Sequence, residues 1–229
     1  SGCKIANLQI DGNNTSYTGS RNGGIYLTSS SNNTITGNTC YDNNTGINLT
    51  SSSDNNTTTG NTCDDKKTGI QVYSSSNNTI TGNTCNNNGY SGIQVFSSSN
   101  NTVTGNTCYN NGYSGIQVYS SSDNNTVTGN TCYDNNTGIF LTSSSNNTIT
   151  GNTCIRGTGL ATDYTASQHT IQLNGTSNRY NLIAMNNCMG KAVTNEGGTG
   201  NTLVNNKFDE AKGGINMFRM LGKKVELYR

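Results

Sequence analysis

The sequence predicts an all-β fold, a right-handed parallel β-helix of about nine rungs with 22–23 residues per rung, and three observations predict it. The string NNTITGNTC, or a close variant, begins at Asn32, Asn55, Asn77, Asn100, Asn124 and Asn146. The apolar residues of successive copies fall into columns. Within each copy they alternate with polar residues, as in Ile-Gln-Val, which is the two-residue period of a strand rather than the stripe of a helix.

Each element of the repeat follows from its column. The first column reads Ile5, Ile35, Thr58, Ile80, Val103, Val127, Ile149, Ile183 and Leu203. Five residues later comes Ile10, then Cys40, Cys63, Cys85, Cys108, Cys132, Cys154 and Cys188, then Phe208. The third runs from Ile25 through Ile47, Ile70, Ile93, Ile116, Ile139, Ile171 and Val193 to Ile215. Two positions further lie Leu27, Leu49, Val72, Val95, Val118, Leu141 and Leu173, then Asn195, which breaks the column, and Met217. Strands of three to five residues cannot bury their inner faces alone. Stacked in parallel at about 4.8 Å they share one narrow core, and nine rungs make a rod of roughly 40 Å.

Composition agrees. The chain has 28 Gly and 42 Asn, lacks Pro and Trp, and is 29 % hydrophobic and 11 % charged with a net charge of +1. So little apolar area would ordinarily leave a chain disordered, but a solenoid needs only a few inward residues per turn. Asn38, Asn61, Asn83, Asn106, Asn130, Asn152, Asn186 and Asn206 form one polar column, and stacked amides can hydrogen-bond along the rod. Gly24, Gly46, Gly69, Gly92, Gly115 and Gly138 precede the third column, where a tight turn with positive φ would call for glycine. Seven of the eight cysteines share one column, too far apart in parallel for disulfides. They read as free thiols acting as small core hydrophobes.

The expected organisation is a single domain over 1–229, with regular repeats at 24–154 and degenerate rungs and a C-terminal cap over 169–229. Loop insertions are expected at about 11–23 and 155–168, both leaving the same corner of the cross-section.

The rungs NNTITGNTC…TGIxLxxSSS resemble the repeats of the parallel β-helix family that includes NosD-type periplasmic proteins and carbohydrate-binding and sugar-hydrolysis (CASH) domains. Similar Asn-rich arrays occur in surface proteins of methanogenic archaea. The resemblance is strong over residues 24–154 and implies a β-helical scaffold. It does not carry the copper-maturation role of NosD, because the chain has no Met- or His-rich tract and His169 alone cannot build a copper site.

For function, the outward positions matter. Gln71 and Tyr73, Gln94 and Phe96, and Gln117 and Tyr119 flank the inward valines of three consecutive rungs, with Tyr90 and Tyr113 in the adjoining turns. Aromatic rings offer amphipathic contact area and amides suit hydroxyls, so this face is the candidate carbohydrate-binding site. A second face carries Thr34 and Thr36, Thr57 and Thr59, Thr79 and Thr81, Thr102 and Thr104, Thr126 and Thr128, and Thr148 and Thr150. This flat double row is the alternative site, for ice, as in β-solenoid antifreeze proteins.

Catalysis is the third reading, a polysaccharide lyase or hydrolase. Glycoside hydrolysis needs two carboxyl groups at a defined separation. The twelve acids are scattered, among them Asp42, Asp134 and the run Asp64-Asp65-Lys66-Lys67 at turns, Asp54 and Asp123 opening repeats, and Glu196, Asp209 and Glu210 in the C-terminal rungs. No catalytic residue, metal ligand or cofactor is assigned. A near-zero net charge without a basic stripe excludes nucleic acid as the expected partner, and no apolar run is long enough for membrane insertion.

The expectation is therefore a non-enzymatic extracellular or cell-surface scaffold or adhesin module whose partner is a polysaccharide or cell-surface glycan. Self-association, end to end or side by side, is expected of exposed terminal rungs. Sequons such as Asn32-Asn33-Thr34, Asn48-Leu49-Thr50 and Asn174-Gly175-Thr176 suit that location. A Ser-Gly start without Met reads as a fragment of a larger surface protein.

Overall fold

The computed structural model describes residues 2–12, 23–64, 67–157 and 168–209. They form three parallel sheets, of nine, nine and eight strands, wound as a right-handed β-helix. Sheet 1 carries the Thr-x-Thr strands, from Lys4–Ala6 through Thr79–Thr81 to Thr202–Val204. Sheet 2 carries the Thr-Cys strands, from Gln9–Asp11 to Lys207–Asp209. Sheet 3 carries the Gly-Ile strands, from Gly23–Thr28 to Thr194–Asn195.

The register follows the sequence columns. Ile80 lies between Thr58 and Val103, Cys85 between Cys63 and Cys108, and Ile93 between Ile70 and Ile116. Leu173 pairs with Asn195, so the break in the fourth column stands. Ile215, Met217 and the expected cap lie outside the described residues, as do 13–22 and 158–167, which hold most of the two insertions. The column residues from Ile35 to Ile183 form one continuous cluster with no solvent exposure. Seven cysteines, Cys40 to Cys188, are free and buried within it. Hydrogen bonds to neighbouring thiols, together with burial, hold Cys85, Cys108 and Cys154 well above the usual thiol range, and burial pushes Cys188 up to about 11. Hydrogen bonds from the thiols on either side pull Cys63 and Cys132 the other way, to about 5, against the opposing push of burial. With full burial the column packs as small core side chains.

Two expectations about local geometry are corrected. The strands of sheet 3 reach six residues rather than three to five, as in Ser91–Phe96. Their alternation is broken at the glycine: the β positions of Gly69 and Gly92 face Cys85 and Cys108, while the neighbouring Ile70 and Ile93 are also fully buried. The strand therefore bends around a corner at that point. These glycines do not have positive φ. Left-handed glycines sit elsewhere, at Gly37, Gly60, Gly82, Gly105, Gly129 and Gly151, in the turn between sheets 1 and 2. At the sheet 3 corner glycine is required for space, because a Cβ on Gly92 would lie 2.8 Å from the Gly115 carbonyl oxygen and 3.2 Å from Cys108 Cβ.

The polar column expected at Asn38 is present, and among the described residues it is one of three buried asparagine ladders. In the first, Asn61 Nδ2 donates to Asn83 Oδ1 at 3.0 Å, and Asn83 Nδ2 donates to Asn106 Oδ1 at 3.0 Å. A second ladder includes Asn33, Asn56, Asn78, Asn101, Asn125 and Asn147, where each backbone N–H donates to the next Oδ1 at 2.8–2.9 Å. A third joins Asn88, Asn111 and Asn135. All three run inside the turns, where nearly every amide is buried. They satisfy corner N–H groups that the sheets leave without partners.

Candidate functional site

The outer face of sheet 3 gathers the sequence-predicted residues. Gln71, Gln94 and Gln117 pair in register, as do Tyr73, Phe96 and Tyr119. The Tyr73 and Phe96 rings stack with centroids 4.8 Å apart and planes at 15°, and Phe96 and Tyr119 at 4.5 Å and 4°. Parallel in-register pairing forces this spacing. A second stack, Tyr90 on Tyr113 at 4.9 Å and 5°, stands in the turn that leads into the same strands.

The Gln column runs between these two stacks, and this changes its role. Gln71 Nε2 donates to Gln94 Oε1 at 2.9 Å, and Gln94 Nε2 donates to Gln117 Oε1 at 3.0 Å. Gln94 and Gln117 are each only 3 % exposed. The amides face outward from the sheet as expected, but they are occupied by one another beneath the aromatic walls. The tyrosines reach this column from the turn: Tyr113 meets Phe140, the residue paired with Gln117, edge-on at 5.4 Å. Burial, and then the nearby phenols of Tyr90 and Tyr73, push Tyr119 up to about 12. The accessible surface is aromatic, with Tyr73 and Tyr90 exposed. Asn48 precedes Gln71 in the column; its Oδ1 is buried without a partner. The amide ladder therefore begins at Gln71.

The Thr-x-Thr face is also in place. Thr79, Thr102 and Thr126 pair in one row and Thr81, Thr104 and Thr128 in the other, all half-buried. Thr150 Oγ1 donates to Thr128 Oγ1 at 3.4 Å. The rows end where Leu182 and Ala184 replace Thr148 and Thr150.

Sequence reasoning missed a charged cluster at the corner between sheets 2 and 3, two to three rungs beyond Tyr119. His169 takes the position of Thr137 in the next rung. Its Nδ1 lies 3.0 Å from Thr194 Oγ1, and its Nε2 lies 3.5 Å from Lys191 Nζ. With Lys191 an ammonium donor, Nε2 is the acceptor and Nδ1 carries the proton. Lys191 also donates to the Gln168 carbonyl at 3.2 Å. Glu196 accepts from Gln172 Nε2 at one oxygen and from Asn174 Nδ2, at 2.8 Å, at the other. Arg156 Nη1 donates to the Gly190 carbonyl at 3.3 Å. Burial first, then Lys191 and Arg156, lower the His169 pKa against the opposing pull of Glu196, and burial followed by Arg156 lowers that of Lys191. The imidazole is thus neutral at neutral pH. The register of this rung was legible, but its outward residues follow a ten-residue insertion and match no repeat motif.

Among the described residues no group of three or more His, Cys, Asp and Glu could hold a metal ion. Asp42 and Asp64 meet through a backbone hydrogen bond at 3.3 Å; Asp65 and Lys66 lie outside the described residues.

These features define a β-helical solenoid whose sheet 3 carries two outward stacks of aromatic rings, with a further pair, Tyr109 on Tyr133 at 5.0 Å, on sheet 2. The sequence matches the family described as right handed beta helix region over residues 3–131 and again over 91–219, and the chain belongs to it. Solved structures share the fold. The periplasmic alginate epimerase AlgG is 24 % identical with a TM-score of 0.62, covering 81 % of this chain and 47 % of its own. The A-module of the mannuronan C-5 epimerase AlgE4 from Azotobacter vinelandii is 18 % identical with a TM-score of 0.63, covering 82 % and 54 %. The enzymatically active domain of tailspike protein 2 of bacteriophage CBA120 is 14 % identical with a TM-score of 0.58, covering 84 % and 31 %. The chain spans about half the length of the epimerase structures. No curated protein sequence matches it. Among the described residues no helix is long and apolar enough to cross a membrane.

Proposed function

We propose that the chain is a polysaccharide-binding β-helical scaffold of an extracellular or cell-surface protein, which takes its polymer along the aromatic stack Tyr73–Phe96–Tyr119 flanked by Tyr90–Tyr113. The observation that carries this reading is the stack itself. Parallel rings at 4.5–4.8 Å repeat at close to the length of one sugar residue and, with their facing planes covered by one another, present a row of ring edges along the rod. The structural neighbours support it, since two are named for alginate or mannuronan epimerisation and a third is the enzymatically active domain of a phage tailspike. Gln94 and Gln117, buried in their own ladder, hold the rings in line rather than bind hydroxyls. Among the described residues the aromatic stack carries no carboxylate pair, and the chain is read as a binding scaffold, with the lyase or hydrolase as its alternative.

The test is retention on a panel of immobilised and soluble polysaccharides, with reducing ends assayed in the same tubes. The wild type is expected to be retained by at least one polymer without new reducing ends. The Tyr73/Phe96/Tyr119 triple alanine variant is expected to bind at least tenfold more weakly, a loss of about 1.4 kcal/mol or more. Absence of retention on every polymer would overturn the reading. New reducing ends would transfer it to the enzymatic alternative.

A second reading rests on the other face. Six rungs place two threonines each in unbroken register over sheet 1, a regular hydroxyl–methyl lattice suited to ice. If that face is functional, the protein shows thermal hysteresis and Thr81→Tyr or Thr104→Tyr abolishes it. A wild type without hysteresis ends that reading.

A further inference from the structure

We propose that a polar cleft at the corner between sheets 3 and 1, beside the C-terminal end of the aromatic stack, is a subsite for one neutral sugar residue, so that the polymer taken by this protein carries single-residue side branches. This rests on the glycan reading of the stack and deepens it.

The cleft follows from the lengths of three successive corners. Ser122, Ser144 and Asn178 mark the same position in consecutive rungs, since the Ser122 N–H donates to Ser144 Oγ at 3.3 Å and the Ser144 N–H to Asn178 Oδ1 at 3.3 Å. Between the end of the sheet 3 strand and that position stand Ser120 and Ser121 in the first of these rungs, only Ser143 in the second, and Gly175, Thr176 and Ser177 in the third. A short corner is thus walled by two long ones. The result is a cavity of about 310 Å³ lined by Ser121, Asp123, Ser143, Ser145, Ser177 and Arg179, at the lower end of the range for small-ligand sites. Asp54 supplies the contrast. Its rung has the same long corner, Ser51 and Ser52, and its Oδ1 accepts the Ser76 N–H at 2.6 Å, as Asp123 Oδ1 accepts the Ser145 N–H at 2.6 Å. The two corners that follow it, with only Ser74 and only Ser97, are both short, so no second wall stands over Asp54.

The lining is fixed to the rungs, and its chemistry is that of hydroxyls and two opposite charges. Asp123, Ser145 and Arg179 occupy one column, their carbonyls accepting the N–H groups of Asn100, Asn124 and Asn146 at 2.9–3.1 Å, and Arg179 bridges to both Ser145 and Thr199. Asp123 and Arg179 are therefore two rungs apart, roughly 10 Å along the rod, with Ser145 between them. Arg179 is exposed and Asp123 half-buried. An ionised carboxylate only accepts and a guanidinium only donates, whereas a sugar hydroxyl does both. A sugar residue seated between the two walls can donate to Asp123 and accept from Arg179, and both bonds are charge-assisted. One carboxylate and one guanidinium leave the cleft without net charge, which suits a neutral sugar. Its position makes that sugar a branch. Ser121 lies two residues beyond Tyr119, and Ser143 directly follows Thr142, the next residue of the ring column. The cleft therefore opens to the side of the ring column at the same rungs. A polymer running along the rings passes beside it, and only a substituent on the backbone enters.

The experiment measures affinity for immobilised galactomannan and arabinoxylan, each as such and after enzymatic removal of its side residues. The wild type is expected to bind at least one branched polymer about tenfold more tightly than the same backbone trimmed. The Asp123→Asn/Arg179→Ala double variant should bring that ratio close to one while keeping its affinity for the trimmed backbone, which a misfolded protein would not do. Asp54→Asn, in the corner that lacks a second wall, should leave the ratio unchanged. The Tyr73/Phe96/Tyr119 triple alanine variant should weaken branched and trimmed forms alike. Equal affinity for branched and trimmed forms of both polymers, or a ratio that survives in the double variant, would overturn the branch subsite and leave the glycan scaffold standing. No binding of any polymer would overturn both.

Discussion

An Asn106→Ala variant is expected to lose about 4 kcal/mol of stability, read as a fall in the urea unfolding midpoint. Asn106 sits mid-ladder with 1 % exposure. Its Nδ2 donates to the Ile80 carbonyl at 2.9 Å and to Asn130 Oδ1 at 3.0 Å. Its Oδ1 accepts the Asn83 backbone N–H at 2.9 Å and Asn83 Nδ2 at 3.0 Å. Truncation leaves the Asn83 N–H without its acceptor and takes a donor from the Ile80 carbonyl, in a place water does not reach. Each buried group so stranded costs about 1–3 kcal/mol. Asn106→Asp should be worse still. Its second oxygen would face the Ile80 and Asn130 oxygens, and the acid would be buried whether charged or protonated. Thr102→Ser, outward on the same rung, should change stability by less than about 0.5 kcal/mol. If Asn106→Ala unfolded at the wild-type midpoint, the ladders would be ornaments of a core held together by its Ile, Val and Cys columns alone.

The difference between columns and ladders explains what could be read in advance. Ile80, Cys85 and Ile93 were legible because burial in a strand obeys a fixed period, and the period survived even where Leu173 meets Asn195. The first Asn ladder was legible for the same reason. Those through Asn78 and Asn111 were not, because the sequence is so rich in Asn that a structural amide looks like a turn residue. The outward direction of Gln94 was correct, yet its burial depends on Tyr90 and Tyr113. Those side chains leave a turn, where no two-residue period says which way they point. The His169 cluster was missed for a related reason. Thr194 and Lys191 reach His169 only once the rung that carries them is laid beneath it.

The glycines separate conformation from space, and a matched pair of variants tests the separation. Gly60 has φ of +62° and nothing within 4 Å of its β position. It is glycine because the backbone is left-handed, a region that Asn adopts several times in this chain, as at Asn55 and Asn77. Gly60→Asn should therefore unfold within about 0.5 kcal/mol of the wild type, as an accommodated surface change does. Gly115 is the reverse case. A Cβ there would lie 2.7 Å from the Gly138 carbonyl oxygen and 2.9 Å from Cys132 Sγ. The oxygen is backbone and cannot rotate away, so the rung must separate from the next. Overpacking of this kind costs about 3 kcal/mol for Ala and more for Asn. The seventh rung shows why the requirement is local. Thr170 occupies the position equivalent to Gly138, fully buried, with its Oγ1 bonded to the Lys191 carbonyl at 2.7 Å. It fits because ladder pairing with the following rung begins only at Gln172, which leaves the corner open. In the closed stack there is no such opening, so neither Ala nor Asn should be tolerated at Gly115. A Gly115→Ala protein as stable as the wild type would mean that the rungs breathe enough at this corner to admit a methyl group. The close stacking that holds the aromatic rings in line would then have to come from the sheets alone.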